Sequence, residues 1–351
     1  PKSIDLDTVK QMVDTALEKG FTYFDTAFPY HLQCSETAVG KVLVARHPRN
    51  SFLLADKMPP WEIKTRADYP RIFEIQKKRC QVSYFDFYLL HSLGVQNDKI
   101  MEETGGYDFL LHLKKTGQAR AVGFSFHDQP EVLDRILTRH PQVDFVQLQV
   151  NYADMDRTTI RSRDCLNVAK QHGVPVIVME PVKGGGLAAP GEKIASLFHA
   201  SAPNASPASW ALRFAASQPG VYLVLSGMST MAQMTDNINT MENFKPLSEK
   251  EEKVIQAVQQ VIKDSTAIPC TACRYCTDGC PQKIDIPKLF SLYNMVEQFG
   301  DQNYPMMHYS RAIAESGRAR DCIACGQCEA HCPQHIPIIQ MLQKVSQQFD
   351  G

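Results

Sequence analysis

Seven short apolar runs, each followed by a stretch with helical spacing, set the fold of residues 1–243. The runs are FTYFDTA, SFLLADKM, FDFYLLHS, ARAVGFSF, DFVQLQVNY, VPVIVMEPV and VYLVLSG. Apolar residues three and four apart mark the intervening stretches as helices. The first of these, DTVKQMVDTALEKG, precedes every strand and stops at Gly20. Strands alternating with helices imply a parallel sheet covered by those helices. Seven strand–helix pairs opened by a helix predict an α/β fold of the (β/α)8 TIM-barrel type, its first strand absent from this chain. An open doubly wound sheet would need a topological switch and usually a G-x-G-x-x-G loop after an early strand; the sequence has none. A barrel short of one strand would expose two sheet edges, so the natural protein is expected to continue upstream of Pro1.

Reactive groups of such barrels gather at the C-terminal strand ends. Here three successive strands end on Asp25, Lys57 and His91, with Tyr30 in the loop after the first. An ion pair closing the barrel, or a histidine bonded to a carbonyl, would explain any one of them alone. A carboxylate, an ammonium and an imidazole at the same level point instead to chemistry. The loops after strands seven and eight of a barrel commonly hold phosphate. In this chain those loops read VKGGGLA, with Gly184, Gly185, Gly186 and Leu187, and SGMSTMAQM, with Ser226, Gly227 and Ser229. Ser229 or Thr230 can cap the next helix, whose N-terminus favours an anion.

Over residues 1–243 the sequence resembles the aldo-keto reductases. YFDTAFPYHLQCSETAVGKVL is similar to that family's segment around its catalytic aspartate and tyrosine, and Lys57 and His91 fall where the other two members of its tetrad belong. The resemblance implies Tyr30 as general acid, Lys57 as the cation that tunes it, Asp25 as the partner of Lys57, and His91 as a donor orienting a substrate carbonyl. It also implies a nicotinamide cofactor, NADP(H) or NAD(H). Ser125 and Gln149 would contact the carboxamide, Met179 would pack against the ring, Pro181 would be a further cofactor contact, and Gln233 and Asn237 would lie near the adenosine. Three positions depart from the family pattern. Phe126 replaces an amide-binding asparagine, Met179 a stacking tyrosine and Glu180 a serine. GMSTM carries no Arg or Lys for a 2′-phosphate.

Eight of the eleven cysteines form two runs, PCTACRYCTDGCPQ and DCIACGQCEAHCPQ, both spaced C-x2-C-x2-C-x3-C-P. Structural zinc usually takes two ligands from each of two separated pairs. Four thiols in a tight run closed by proline are the bacterial pattern for [4Fe–4S] clusters, in which the fourth cysteine serves the other cluster. On that rule Cys270, Cys273, Cys276 and Cys332 hold one cluster, and Cys322, Cys325, Cys328 and Cys280 hold the second. Residues 244–265 are expected to be a connecting helix, and residues 266–351 a small, mainly helical ferredoxin-like domain with two helices between the runs. The remaining Cys34, Cys80 and Cys165 are expected to be small buried apolar residues. Barrel and cysteine domain together resemble the iron–sulfur branch of the aldo-keto reductases.

A net charge of −1 argues against binding nucleic acid by bulk electrostatics, and no apolar run is long enough to span a membrane. Clustered thiols without an export signal indicate a reducing, cytoplasmic setting. The expected activity is NAD(P)H-dependent reduction of a small carbonyl substrate, with two clusters exchanging electrons with a redox partner protein. Two alternatives stand beside it: an electron-transfer or redox-sensing subunit whose barrel binds a ligand or partner, and clusters that are structural only.

Overall fold

The computed structural model describes residues 4–157, 160–277, 279–300 and 303–351. Two compact units emerge. One comprises Pro1–Met155, Ile160–Pro181 and Leu212–Pro246; the other comprises Val182–Ala211 and Leu247–Gly351, with a short loop piece that includes Asp156 and Arg157. The break at Pro246 lies close to the expected barrel boundary at 243. Two segments expected in the barrel or as a separate connector, residues 182–211 and the helix Glu249–Asp264, belong to the second unit.

The first unit is built on seven parallel strands lying side by side in chain order. They are β1 (Tyr23–Asp25), β2 (Leu53–Met58), β3 (Phe85–Leu93), β4 (Ala119–Phe126), β5 (Phe145–Gln149), β6 (Val176–Met179) and β7 (Val221–Val224). Six fall within the apolar runs read from the sequence, and β3 passes the end of its run by one residue, Leu93. No pair joins β7 to β1 among the described residues. The central strands are almost wholly buried, whereas β1 and β7 contain no buried residue. Such a gradient follows from which strands have neighbours on both sides.

Local chemistry fixes where the helices begin. Asp5 caps Leu6–Glu18 by accepting from the amides of Asp7 and Thr8, both at 3.1 Å. Thr230, rather than Ser229, caps Met231–Glu242 through a reciprocal pair with Gln233. Met234 and Ile238 of that helix then pack on Ala16 of the first. Among the longer helices, the sequence pattern did not reveal Val95–Thr104, Glu192–Ser201 and Ile338–Phe349.

In the second unit, Glu249–Asp264 packs on Glu192–Ser201, and Trp210 stacks on Phe198 at 4.8 Å. Between the cysteine runs lie the two expected helices, Ile286–Phe299 and Asn303–Glu315. Buried Asn294 on the first of them grips Ile268, bonding its amide and its carbonyl at 2.8 Å each. That double bond ties the start of the first cysteine run to a packed helix. Among the described residues no helix is long and apolar enough to cross a membrane.

Candidate active site and cysteine cavities

Alternation along the strands builds the rim. Ala55, Leu89, Phe145 and Ile177 form one buried cluster with Tyr23 packed against it, so these residues mark the inward face of their strands. Two residues further along, the same faces carry Lys57, His91, Gln147, Met179 and Asp25. A register shift between Leu90 and Leu93 re-aims the end of β3 where His91 sits.

Lys57 is fully buried, so its ammonium depends on partners. Its Nζ pairs with Asp25 Oδ1 and donates to the Thr26 carbonyl at 2.9 Å. Gln147 donates to the other Asp25 oxygen at 3.3 Å. Burial pulls the Lys57 pKa down, but Asp25 and then Tyr30 outweigh it, and the group is held above its ordinary value. Lys57 Nζ lies 4.8 Å from the centre of the Tyr30 ring, and the Tyr30 and His91 rings lie 5.8 Å apart, edge to face. Asp25, Tyr30, Lys57 and His91 are therefore brought together. The loop that presents Tyr30 continues through His31, Leu32 and Gln33, all at positive φ, a conformation non-glycine residues adopt only when neighbours hold it.

The Tyr30 phenol departs from simple expectation. Although Tyr30 is 38% exposed, packing around it raises its pKa above the usual tyrosine range; Lys57 pulls it down, and Asp25 and Glu180 push it up. Glu180 follows β6 at φ 54°, and its carbonyl accepts from Asn151 Nδ2 at 3.1 Å. A carboxylate therefore bears on the phenol from the position where a serine was expected.

The expected carboxamide contacts are already oriented. Ser125 Oγ accepts from the Ser92 amide at 2.7 Å, which leaves its own proton to donate. Gln149 Nε2 donates to buried Asp154 at 2.7 Å, which leaves Gln149 Oε1 as an acceptor. The residues expected near an adenosine are engaged locally: Gln233 Oε1 accepts from the Ser229 and Thr230 amides, and Asn237 donates to Ser226 Oγ at 2.8 Å. Within the second unit, the amides of Gly185, Gly186 and Leu187 all donate to carbonyls of their own turn. A Cβ at Gly184 would stand 2.2 Å from the Tyr304 ring. Close packing accounts for that glycine.

Also within the second unit are two small, cysteine-lined cavities. Cys270, Cys273, Cys276 and Cys332 line the first; Cys280, Cys322, Cys325 and Cys328 line the second. Each cavity thus draws three thiols from one run and the fourth from the other, and Ile286 lines both. The rest of each lining is mainly apolar. A lone zinc would need four sulfurs about 2.3 Å from one point. No such convergence of His, Cys, Asp or Glu occurs among the described residues. Burial, then repulsion from neighbouring thiolates, pushes Cys276 up to about 12 and Cys328 up to about 11. Of the stray cysteines, Cys80 and Cys165 are buried as expected. Cys34 is exposed, because it closes the irregular turn after Tyr30.

Comparison with known proteins agrees with both halves. Residues 1–260 match the aldo/keto reductase family, and residues 269–336 match a 4Fe-4S dicluster domain. The chain belongs to the aldo/keto reductase family. An uncharacterized oxidoreductase from Bacillus subtilis is 26% identical over 70% of this chain and 86% of its own. L-galactose dehydrogenase from Arabidopsis thaliana is 26% identical over 74% and 86%. Among solved structures, an aldo-keto reductase from Bacillus halodurans in its holo form aligns with TM-score 0.59 at 23% identity, covering 73% of this chain and 88% of that one. One from Klebsiella pneumoniae in complex with NADPH aligns with TM-score 0.55 at 25% identity, covering 71% and 86%.

This aldo/keto reductase carries two site features that strand-end reading misses. Trp61, in the turn after β2, is 46% exposed, and its ring lies 5.3 Å from that of His91. Its available signal is a tryptophan in a polar loop directly after Pro59 and Pro60. Asp154 lies five residues beyond Gln149 in sequence, and nothing short of coordinates joins the two.

Proposed function

We propose that this oxidoreductase reduces a small carbonyl compound with a nicotinamide cofactor, NADPH by analogy with the Klebsiella relative, with Tyr30 as proton donor. The observation that carries the reading is the convergence of a buried, Asp25-paired Lys57 on a phenol and an imidazole at one strand-end rim. When bound, the nicotinamide supplies a hydride. The chain's own residues do the rest. Ser125 donates to a carboxamide oxygen while Gln149 Oε1 accepts from its nitrogen, a complementary pair for that group. His91 and Trp61 hold the carbonyl against Tyr30. The Tyr30 O–H protonates the carbonyl oxygen. Lys57 stabilises the phenolate left behind, and Asp25 keeps Lys57 charged and in place.

Each cysteine cavity holds one [4Fe–4S] cluster with its four thiols as ligands. Hydride reduction of a carbonyl needs no cluster. The clusters therefore serve a second route, in which a redox partner protein supplies or takes single electrons.

Aldehyde-dependent NADPH oxidation tests the barrel. Tyr30→Phe is expected to lose about 10²- to 10⁴-fold in kcat, and unchanged turnover would remove Tyr30 from the mechanism. Anaerobic purification tests the cavities, with about eight irons and eight sulfides expected per chain.

A further inference from the structure

The two cysteine runs are structural copies of each other. With Cys270 placed on Cys322, left-handed residues recur at matching positions: Ala272 and Ala324 at φ 55° and 54°, Arg274 and Gly326 at 67° and 77°, Lys283 and His335 at 53° and 50°. Exposure is matched too. Cys276 and Cys328 are each 8% exposed, and Cys273 and Cys325 are both open to solvent. Backbone and solvent access are thus nearly equal around the two cavities. Those factors ordinarily separate cluster potentials, along with nearby charge and bonds to sulfur.

Charge and bonding are not equal. Arg274 lines the first cavity, where its counterpart in the second run is glycine, and the second cavity has no charged lining residue. Asp285 Oδ2 lies 3.5 Å from Arg274 Nη2, a long and solvent-exposed contact that offsets the guanidinium only in part. The Ala272 amide approaches Cys270 Sγ at 3.4 Å, and among the described residues no matching bond runs from Ala324 to Cys322. Arg157, which bonds the Ser291 carbonyl in this unit, also bears on Cys270. At the second cavity Glu329, the counterpart of Thr277, acts on Cys328 in both senses: its backbone N–H favours the thiolate, while its carboxylate, whose Oε1 accepts from the Ile339 amide at 2.8 Å, opposes it. Positive charge and an N–H donor stabilise the more negative, reduced cluster; a carboxylate opposes reduction.

We propose that the cluster held by Cys270, Cys273, Cys276 and Cys332 has the higher reduction potential, so the first electron delivered to this protein settles there. The inference rests on the cluster reading above. Each step is a single-electron transfer: dithionite is oxidised, and one cluster gains one electron without making or breaking a ligand bond. An electron entering at the second cavity then runs downhill past Ile286 into the first.

The test is a dithionite titration of the anaerobically purified full chain, followed by electron paramagnetic resonance. Two midpoints are expected. Arg274→Gly, which places in the first run the residue its copy already tolerates, lowers the upper midpoint and leaves the lower one in place. Arg274→Lys keeps the upper midpoint near its original value. Glu329→Gln raises the lower midpoint alone, and so tests the assignment even if Arg274 variants fail to fold. Protein without iron and sulfide would remove the cluster reading and this inference together. Fully loaded protein with coincident midpoints would overturn the inference and leave the cluster reading intact. So would an Arg274→Gly shift confined to the lower midpoint, or a Glu329→Gln shift confined to the upper one.

Discussion

Beneath Lys57, on the opposite face of β2, Asp56 is buried beside Glu36. Its carboxyl is held well above the ordinary carboxylate range, first by burial and then by the Glu36 charge; Lys57, on the same strand, pulls the other way. Arg79 and Cys80 from the helix Asp68–Cys80, and Tyr88 from β3, complete the surroundings. The folded protein therefore prefers Asp56 protonated. Below about pH 4 both folded and unfolded chains carry that proton, and the site costs nothing. As pH rises, the unfolded chain releases the proton first, and the folded state loses stability at about 1.4 kcal/mol per pH unit until its own raised pKa is reached. Asp56→Asn should remove this dependence. Its advantage over the parent in urea unfolding is expected to grow from pH 5 to pH 8; an advantage that stays flat would mean the carboxyl is ionised in the fold. A second side chain acts through an expected cofactor contact. Asp154→Asn lets Gln149 turn its amide, so the KM for NADPH should rise about 3- to 10-fold while the KM for the carbonyl substrate holds. Equal changes in both would point to general loosening.

Strands and turns differ in how much the sequence disclosed. Asp25, Lys57 and His91 were legible because period-2 alternation fixes which face a side chain occupies and the apolar run fixes where the strand stops. Met179 was legible in position for the same reason. The influence of Glu180 on Tyr30 was not, because it depends on a positive φ just past the strand end. The glycine turn after β6 shows the same limit. Three glycines in a row look like an anion cradle, yet the amides of Gly185 and Gly186 are spent within the turn. At Gly184, φ is 66° and a Cβ would overlap the Tyr304 ring. Gly184→Ala is expected to destabilise the second unit by about 1–3 kcal/mol, from overpacking together with backbone strain. Gly191→Ala, at φ −56° with no atom within 4 Å of its Cβ, should be near neutral. Thermal melts compare the two. A Gly184→Ala protein that melts normally but binds NADPH poorly would return the turn to the cofactor.

Taken whole, the molecule joins two units whose stability has different sources. The first rests on a sheet interior of aliphatic and aromatic side chains with a buried ion pair at its rim. In the second, thiols crowd around the two cavities, and Cys276 and Cys328 keep their protons near neutral pH. Loading a cluster must displace those protons, so cluster binding and folding of this unit are coupled. Under the proposed ligation, the cross-run sharing of Cys332 and Cys280 would make each cluster a tie between sequence-distant segments, closing a long loop against the entropy of the unfolded chain. Iron removal should then weaken the second unit far more than the first. The chain's two tryptophans make the comparison direct, because Trp61 belongs to the first unit and Trp210, stacked on Phe198, to the second. In a Trp61→Phe background, iron chelation is expected to shift the emission of Trp210 to the red and lower its melting midpoint by several degrees. In a Trp210→Phe background the Trp61 transition should move little. Equal shifts at both tryptophans would mean that the clusters stabilise the whole chain rather than the unit whose cysteines bind them.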